Sequence, residues 1–455
     1  MQNQSYWKET VSIPRRNPLA GNMSIDTVII GGGMAGILTA FLLRKKGREC
    51  IVLEAGRIAD GQTGHTTAKV TSQHDLIYAD LIRTQGETLA RQYADANEKA
   101  VEAYESLIRE LNIDCEWTRC PAYLYADTRT RELHAEYMAA IRLGIPAGWK
   151  EETELPFPVG GALRFDRQGR FHPLKFLKAI AEEVTIYEDT KVLKVTDNSV
   201  QTDKGNIQAV NIVFACHYPF VNIPGYYFMR MHQERSYVLA LKNVPHIEGM
   251  YLGIDENGLS CRSAGDMLLL GGGGHRTGEN PDGGQYSRLR EAKERWWPES
   301  EEVFCWSAQD CMTLDGIPYI GPFSARKKNW YVATGFKKWG MTSSMVSAMI
   351  LSDQICGEAN PYEEIFSPQR SVRQKAVSSL VNESGHAAAS LIKPSGLTEQ
   401  EKDQVGTTRC SHLGCQLSWN PEEKTYDCPC HGSRFDYKGR VIDGPAQKNI
   451  VKPCS

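Results

Sequence analysis

The stretch Ile25–Glu54 constrains the fold of this chain more than any other. IDTVII (25–30) is a near-continuous apolar run, the pattern of a strand buried on both faces. GGGMAG (31–36) follows directly, ILTAFLLRKKG then reads as a helix, and ECIVLEA as a second strand. This order is a βαβ unit, which implies a parallel sheet. Gly31 allows the tight turn, Gly33 lets the backbone meet a pyrophosphate, and Gly36 permits close helix–strand packing, with Met34 and Ala35 in the opening helical turn. A dinucleotide phosphate would then face the helix N-terminus. Glu54 closes the second strand, where an acid is expected to bind a ribose hydroxyl.

The rest of the chain supplies context. Its 455 residues predict two or three domains. A composition 41% hydrophobic and 24% charged is that of a soluble globular protein, and a net charge of −3 gives no footprint for nucleic acid. No run reaches the roughly 18 apolar residues a membrane span needs, and the opening MQNQSYWKETVSIPRRNP lacks a signal-peptide core. A cytoplasmic protein is expected. From Leu89 onward, Tyr93, Ala96, Ala100, Tyr104, Leu107 and Leu111 step by three or four, which predicts an amphipathic helix. Residues 155–330 mix short strands and turns, and 343–357 reads as a closing helix capped by Gly357. Residues 367–400 turn Ser-, Lys-, Gln- and Pro-rich and are assigned to a linker.

Thirteen cysteines are distributed unevenly. Eight are scattered before residue 400 and read as small buried hydrophobes. Four of the remaining five fall in two loops, CSHLGC (410–415) and CPCHGS (428–433). Each loop offers a Cys and a His at short spacing: Cys410 with His412, and Cys428 with His431. A Rieske-type [2Fe–2S] centre has thiolates on one iron and imidazoles on the other, and two facing loops of this kind supply that set. The alternative is a structural Cys2His2 zinc site, but such sites usually keep like ligands together, and here Cys415 and Cys430 are left over, one per loop.

The glycine motif alone does not separate FAD from NAD. No second fingerprint appears in a βαβ context. The run Gly271–Gly274 is followed by ENPDGGQYSRLREAKERWW, with no apolar helix face, and reads as a strand-ending turn. One dinucleotide therefore fits, and a one-electron iron–sulfur partner on the same chain selects flavin over nicotinamide.

CSHLGC and CPCHGSRFD, followed by GPA (444–446), closely resemble the cluster loops and proline loop of Rieske proteins. The resemblance implies Cys410, His412, Cys428 and His431 as ligands, a Cys415–Cys430 disulfide, and Ser433 as a donor to a cluster sulfide. Phe435 stands where high-potential respiratory members carry a Tyr. Little chain precedes Cys410 after the linker, so the domain 401–455 looks trimmed and expected to lean on its neighbour. Residues 25–365 resemble the glycine/D-amino-acid oxidase-like FAD-dependent oxidoreductases. The matching stretches are IVLEAG (51–56), the strand at Val192, VFACH (213–217), MLLLGGGG (267–274), TLDGIPYIG (313–321) and ATGFKKWGMTSS (333–344). The last implies backbone contacts from Gly335, Gly340, Met341 and Thr342 to the flavin. Together the halves resemble bacterial members in which such an oxidase-like domain is fused to a C-terminal Rieske domain.

The expected architecture is α/β. A Rossmann-like FAD-binding domain with an inserted antiparallel-sheet substrate domain spans 1–366, and a small all-β Rieske domain ends the chain. The expected function is oxidation of a small amine- or amino-acid-like substrate, with electrons passing from FAD through the cluster to an unidentified acceptor. The rival readings are a redox sensor or electron carrier, and a Rieske oxygenase component. The relatives' substrate-carboxylate Arg is missing from SAQDCMTLDG, which has Gln309 and Asp310 there. A neutral or cationic amine suits Asp310 if it faces the pocket; otherwise it is a solvated or turn residue. His65 lies in the loop GQTGHTTAK, where some relatives bond a His covalently to flavin; a loop His contacting phosphate or solvent is the favoured reading. His217 is a pocket base or a turn residue, and no catalytic residue is assigned. With one dinucleotide fingerprint, NADH and NADPH should fail to bleach the flavin in anaerobic stopped-flow; rapid bleaching by either would point to a reductase.

Overall fold

The computed structural model describes residues 4–370 and 407–450. Strand Met23–Ile30 lies parallel between Cys50–Leu53, with Thr27 opposite Cys50 and Ile30 opposite Leu53, and Asn206–Phe214. Ile186–Tyr187 continues the sheet on one side; Lys327–Thr334 and then Tyr319–Ser324 continue it on the other. Helix Met34–Lys45 joins the first two strands. It is apolar almost all round because it is enclosed by the sheet and by helix Gly340–Ile355. Ile37, Leu38 and Leu43 are fully buried on it, each side chain contributing about 1.5–3 kcal/mol. Gly357, at φ +75°, lies just past the closing helix. The expected amphipathic helix runs Glu87–Glu110, with Tyr93, Ala100 and Tyr104 turned inward.

The second sheet has the order Glu301–Thr313, Met231–Lys242, Met267–Arg276, Ser260–Ala264, Met250–Gly253, Thr118–Ala126, Gly161–Arg170, Lys69–Val70. It is antiparallel apart from the parallel pairing of Met250–Gly253 with Thr118–Ala126. Gly271–Gly274 do not end a strand, as the sequence suggested; they lie within Met267–Arg276, with Gly271 opposite Val238 and Gly272 opposite Tyr237. Their lack of side chains makes room for a helix, Gln285–Trp296, that was not anticipated. A Cβ on Gly272 would stand 3.2 Å from Leu289, and one on Gly273 3.0 Å from Gln285. Only Tyr286 and Leu289 give that helix a buried apolar contact, which is why its periodicity is faint.

Two features concern the ends of the flavin domain. Residues 5–10 are an integral part of it. Trp7 is fully buried and its indole N–H donates to Thr66 O at 2.7 Å, while Ser5 Oγ donates to Gly64 O at 2.5 Å, so this segment clamps the loop 61–67. At the other end, Arg370, within the expected linker, is 7% exposed in its side chain and bridges Asp315 at 2.7 Å and the carbonyls of Ile317 and Pro318. The remainder of the expected linker, 371–400, lies outside the described residues.

Residues 407–450 form an antiparallel meander, Ser418–Asn420, Thr425–Asp427, Arg434–Asp436 and Val441–Asp443, around Leu417, Tyr426 and Phe435. This unit is docked on the second sheet. Glu423 accepts from Arg235 Nε at 3.0 Å, from Tyr237 OH at 3.4 Å and from Ser307 Oγ, and it also faces Arg434 at 3.3 Å. Arg276 donates to Pro429 O at 2.9 Å, and Glu422 accepts from the backbone N–H groups of Gln285 and Tyr286. Burial opposes the Glu423 charge, but Arg235 and Arg434 outweigh it and hold the carboxyl at about 2. Because its folded-state pKa is depressed, its stabilisation is complete above the unfolded value of about 4.3. It is lost as pH falls toward 2. Glu423→Gln should lower stability at neutral pH by about 3–5 kcal/mol, as breaking a buried ion pair does, read from chemical denaturation; an unchanged midpoint would show the pair is dispensable.

Candidate functional site

The glycine turn opens into a cavity of about 1370 Å3. Gly31, at φ +117°, donates its N–H to Leu53 O at 2.8 Å; a Cβ there would lie 2.4 Å from Ala215 O. A Cβ on Gly36 would strike Gly31 O at 2.0 Å, so that glycine serves helix–turn packing. Met34 N–H is held by Thr63 Oγ1 at 3.0 Å. The helix N-terminus thus faces the cavity with its positive dipole end. Glu54 accepts from Gly32 N at 2.8 Å and Gly56 N at 2.9 Å and lines the same cavity, as do Ala35, Val192, Gly335, Gly340 and Met341. Thr342 stands apart from this wall: it is 1% exposed, and its hydroxyl donates to Thr71 O at 3.0 Å and meets His74. A cavity of this size, with a glycine turn and a helix N-terminus on its wall, fits FAD.

The same cavity is also lined by Glu234, Asp310, Lys338 and His217. Asp310 is neither a turn nor a solvated residue; it sits within strand Glu301–Thr313 directly across from Glu234. Burial pushes its carboxyl up to about 7, with Lys338 opposing and Glu234 reinforcing the shift. Glu234 is held at about 2, because His232 at 3.5 Å and Lys338 at 3.4 Å outweigh its burial. His65 lines the cavity with Nδ1 2.8 Å from Gly61 O, and burial holds it down at about 4. His217 has its backbone at φ +66° and lines the cavity, with Nε2 3.1 Å from Gln233 Oε1.

The two Cys/His loops are built alike. In each, the first Cys N–H donates to the carbonyl five positions on (Cys410 to Cys415, Cys428 to Ser433), and the glycine four positions on donates back to that Cys carbonyl, all at 2.9 Å. Gly414 and Gly432 close these turns at φ +82° and +78°. The folding brings the Cys410 and Cys428 thiols within hydrogen-bonding reach of each other. The His412 and His431 rings meet edge to face at 5.0 Å. Cys415 and Cys430 are joined in a disulfide, and Cys428 Sγ lies within 4.8 Å of both its sulfurs. His412 Nε2 is 2.9 Å from Asn222 Oδ1; an amide oxygen only accepts, so Nε2 carries the proton and the buried Nδ1, which has no hydrogen-bond partner, keeps its lone pair. Two thiols, two imidazoles and a free ring nitrogen fit a [2Fe–2S] cluster. Ser433 is fully buried and accepts from Ala446 N at 3.0 Å.

Several residues here carried no signal in the sequence. Asn222 and Phe228 come from the flavin domain, the latter edge-on to both histidines at 6.5 and 6.0 Å. From the other side Asp443, Gly444 and Ala446 of the cluster domain line the flavin cavity.

This pairing of sites defines a flavoprotein oxidoreductase with a built-in iron–sulfur centre. Comparison with known proteins agrees: residues 26–354 match the family of FAD dependent oxidoreductases, and residues 382–453 match the Rieske [2Fe-2S] domain, a match that begins inside the segment assigned to a linker. The chain belongs to that oxidoreductase family and carries a Rieske domain, so it binds FAD and a [2Fe–2S] cluster. It is 37% identical to the putative Rieske 2Fe-2S iron-sulfur protein YhfW of Bacillus subtilis (strain 168), over 98% of this chain and 97% of that one. Its fold is similar to glycine oxidase from Geobacillus kaustophilus (TM-score 0.66, 18% identity, 77% of this chain and 100% of that one). L-proline dehydrogenase from P. horikoshii is similar as well (TM-score 0.64, 17% identity, 77% and 98%). Among the described residues no helix is long and apolar enough to cross a membrane. Gly33→Val should abolish FAD binding while leaving the Rieske EPR signal, since a branched side chain beside Thr63 Oγ1, 3.3 Å from the Cβ position, fills the pyrophosphate space; full flavin content in the variant would show the fingerprint to be misread.

Proposed function

We propose that this chain oxidises a small amine at its C–N bond in the flavin cavity and passes the electrons through the Rieske centre to a separate acceptor. The observation that carries this reading is that the cluster domain supplies part of the wall of the flavin cavity. Gly31, Gly33, Met34, Ala35, Glu54, Val192, Gly335, Gly340 and Met341 are the residues assigned to FAD, with Gly36 packing the helix onto the turn and Thr342 buried behind the wall. Cys410, His412, Cys428 and His431 are assigned to the cluster, under the Cys415–Cys430 clasp. Bound FAD supplies a two-electron acceptor that can discharge one electron at a time, and the cluster a one-electron carrier.

The chain's own part is substrate binding and proton handling. Oxidising an amine to an imine removes two electrons and two protons. Asp310 lines the cavity and has no side-chain hydrogen bond or ion pair among the described residues, so its carboxyl oxygens are open to a substrate nitrogen and to its proton. Lys338 and His232 already engage Glu234, which leaves Asp310 as the free acceptor of the facing pair. No Arg occupies its place to pair with an α-carboxylate. Two proteins of similar fold are named for glycine and L-proline, which supports an amine-bearing substrate, while Asp310 favours one without the carboxylate.

Anaerobic bleaching of the flavin by a panel of amines and amino acids tests this. Cationic amines should bleach it faster than the matching α-amino acids. Their efficiency should rise with pH through about 7 as Asp310 ionises, and Asp310→Asn should flatten that rise. Preferred bleaching by the amino acids, with no effect of Asp310→Asn, would overturn the assignment.

A further inference from the structure

Two glutamine side chains lie between the cavity and the cluster loops with every amide position engaged. Gln233 is 1% exposed and Gln309 fully buried, on neighbouring strands of the second sheet. Gln309 Nε2 donates to Gln233 Oε1 and to Gly432 O, both at 2.8 Å, and its Oε1 accepts from Thr277 Oγ1 at 3.3 Å. Gln233 Nε2 donates to His431 O at 2.7 Å and to Gly444 O at 2.9 Å. Gln233 Oε1, besides accepting from Gln309, meets Nε2 of the cavity-lining His217 at 3.1 Å. The fit is close: a Cβ on Gly432 would lie 2.5 Å from Gln233 Cβ.

The two amides satisfy the carbonyls of His431, Gly432 and Gly444 in the cluster domain, which apolar side chains would leave without donors. The same Gln233 amide also connects those loops to the cavity-lining His217. From the His217 ring, one hydrogen bond reaches the Gln233 amide and a second reaches the carbonyl of His431. Electronic coupling falls off less steeply along covalent and hydrogen bonds than across van der Waals gaps.

We propose that Gln233 is the positioning residue that couples the two cofactor sites, and that the path His217–Gln233–His431 carries electrons from flavin to cluster, with Gln309 holding Gln233 and the loop at Gly432 in register. Each step moves one electron from the reduced flavin to the oxidised cluster, one ferric iron becoming ferrous. A one-electron acceptor such as ferricyanide discharges the cluster between steps. The route rests on the proposed flow from flavin to cluster.

The test uses the purified holoprotein without substrate. The flavin is photoreduced anaerobically, and cluster reduction is followed by absorbance and EPR. Gln233→Leu should slow the transfer about 10- to 100-fold, the order of loss expected when a positioned contact is removed, with flavin content and EPR line shape unchanged. His217→Phe, which breaks the path on the flavin side and leaves the bonds to His431 and Gly444 in place, should slow it comparably. Gln309→Leu, which leaves the direct path intact, should slow it less. Slowing in Gln233→Leu but not in His217→Phe would make Gln233 a docking residue only and overturn the path. Wild-type transfer rates in His217→Phe overturn it even if Gln233→Leu fails to fold. Absence of any transfer in the wild-type protein would instead refute the flow on which the route depends.

Discussion

A single carboxylate, Glu423, compensates two guanidinium groups across the boundary between the flavin and cluster domains. Arg235 is 2% exposed in a strand of the substrate sheet, and Arg434 is 7% exposed in the cluster meander. Neither would be tolerated there as a bare charge, because desolvation of an unpaired ion costs several kcal/mol. Asp427 and Asp443 share Arg434, whereas Arg235 has Glu423 as its carboxylate. The flavin domain thus buries a charge whose counterion belongs to the other domain, so its substrate sheet reaches its lowest free energy only with the cluster domain in place. The pair ties the two domains together beside the cavity whose wall they share.

What could be read from the sequence was what is local. The glycine turn and the two Cys/His loops each compress their geometry into a few consecutive residues. Their chemistry is legible because spacing alone fixes which atoms converge. The amphipathic helix Glu87–Glu110 and the closing helix Gly340–Ile355 were legible for a related reason, since periodicity or a long apolar run marks a face that must be buried.

What could not be read is what depends on a distant partner. In MHQERSYVLA, Gln233 and Arg235 look like the solvent-facing positions of an alternating strand; the docked cluster domain covers them. Gln309 is covered in the same way, while Asn222 and Phe228 lie in the turns before that strand and meet the cluster histidines only across the boundary. The segment Ser5–Thr10 is too short for a periodic signal, yet Trp7 fills a site beside His172 and Arg262. Helix Gln285–Trp296 was hidden because glycines on the opposing strand, rather than large apolar residues on the helix, create its seat. Arg370 looked like the start of a polar linker because its partner, Asp315, lies in another part of the chain.

The dependence of the two sites runs both ways. The cluster domain gives the flavin cavity a wall and takes part, through Asp443, in the electrostatic field around His217 and His65. In return, the flavin domain sets the protonation of a residue in the cluster domain. Because Asn222 accepts from His412 Nε2, the imidazole tautomer with a free Nδ1 is selected before any metal binds. The same domain presents Phe228 to both histidine rings and holds the carbonyl of His431 through Gln233. Each loop is also closed by its own pair of backbone bonds and tied to the other by the Cys415–Cys430 disulfide. The protein's own bonds thus close both loops, and the contacts to their imidazoles come from the domain that binds the flavin.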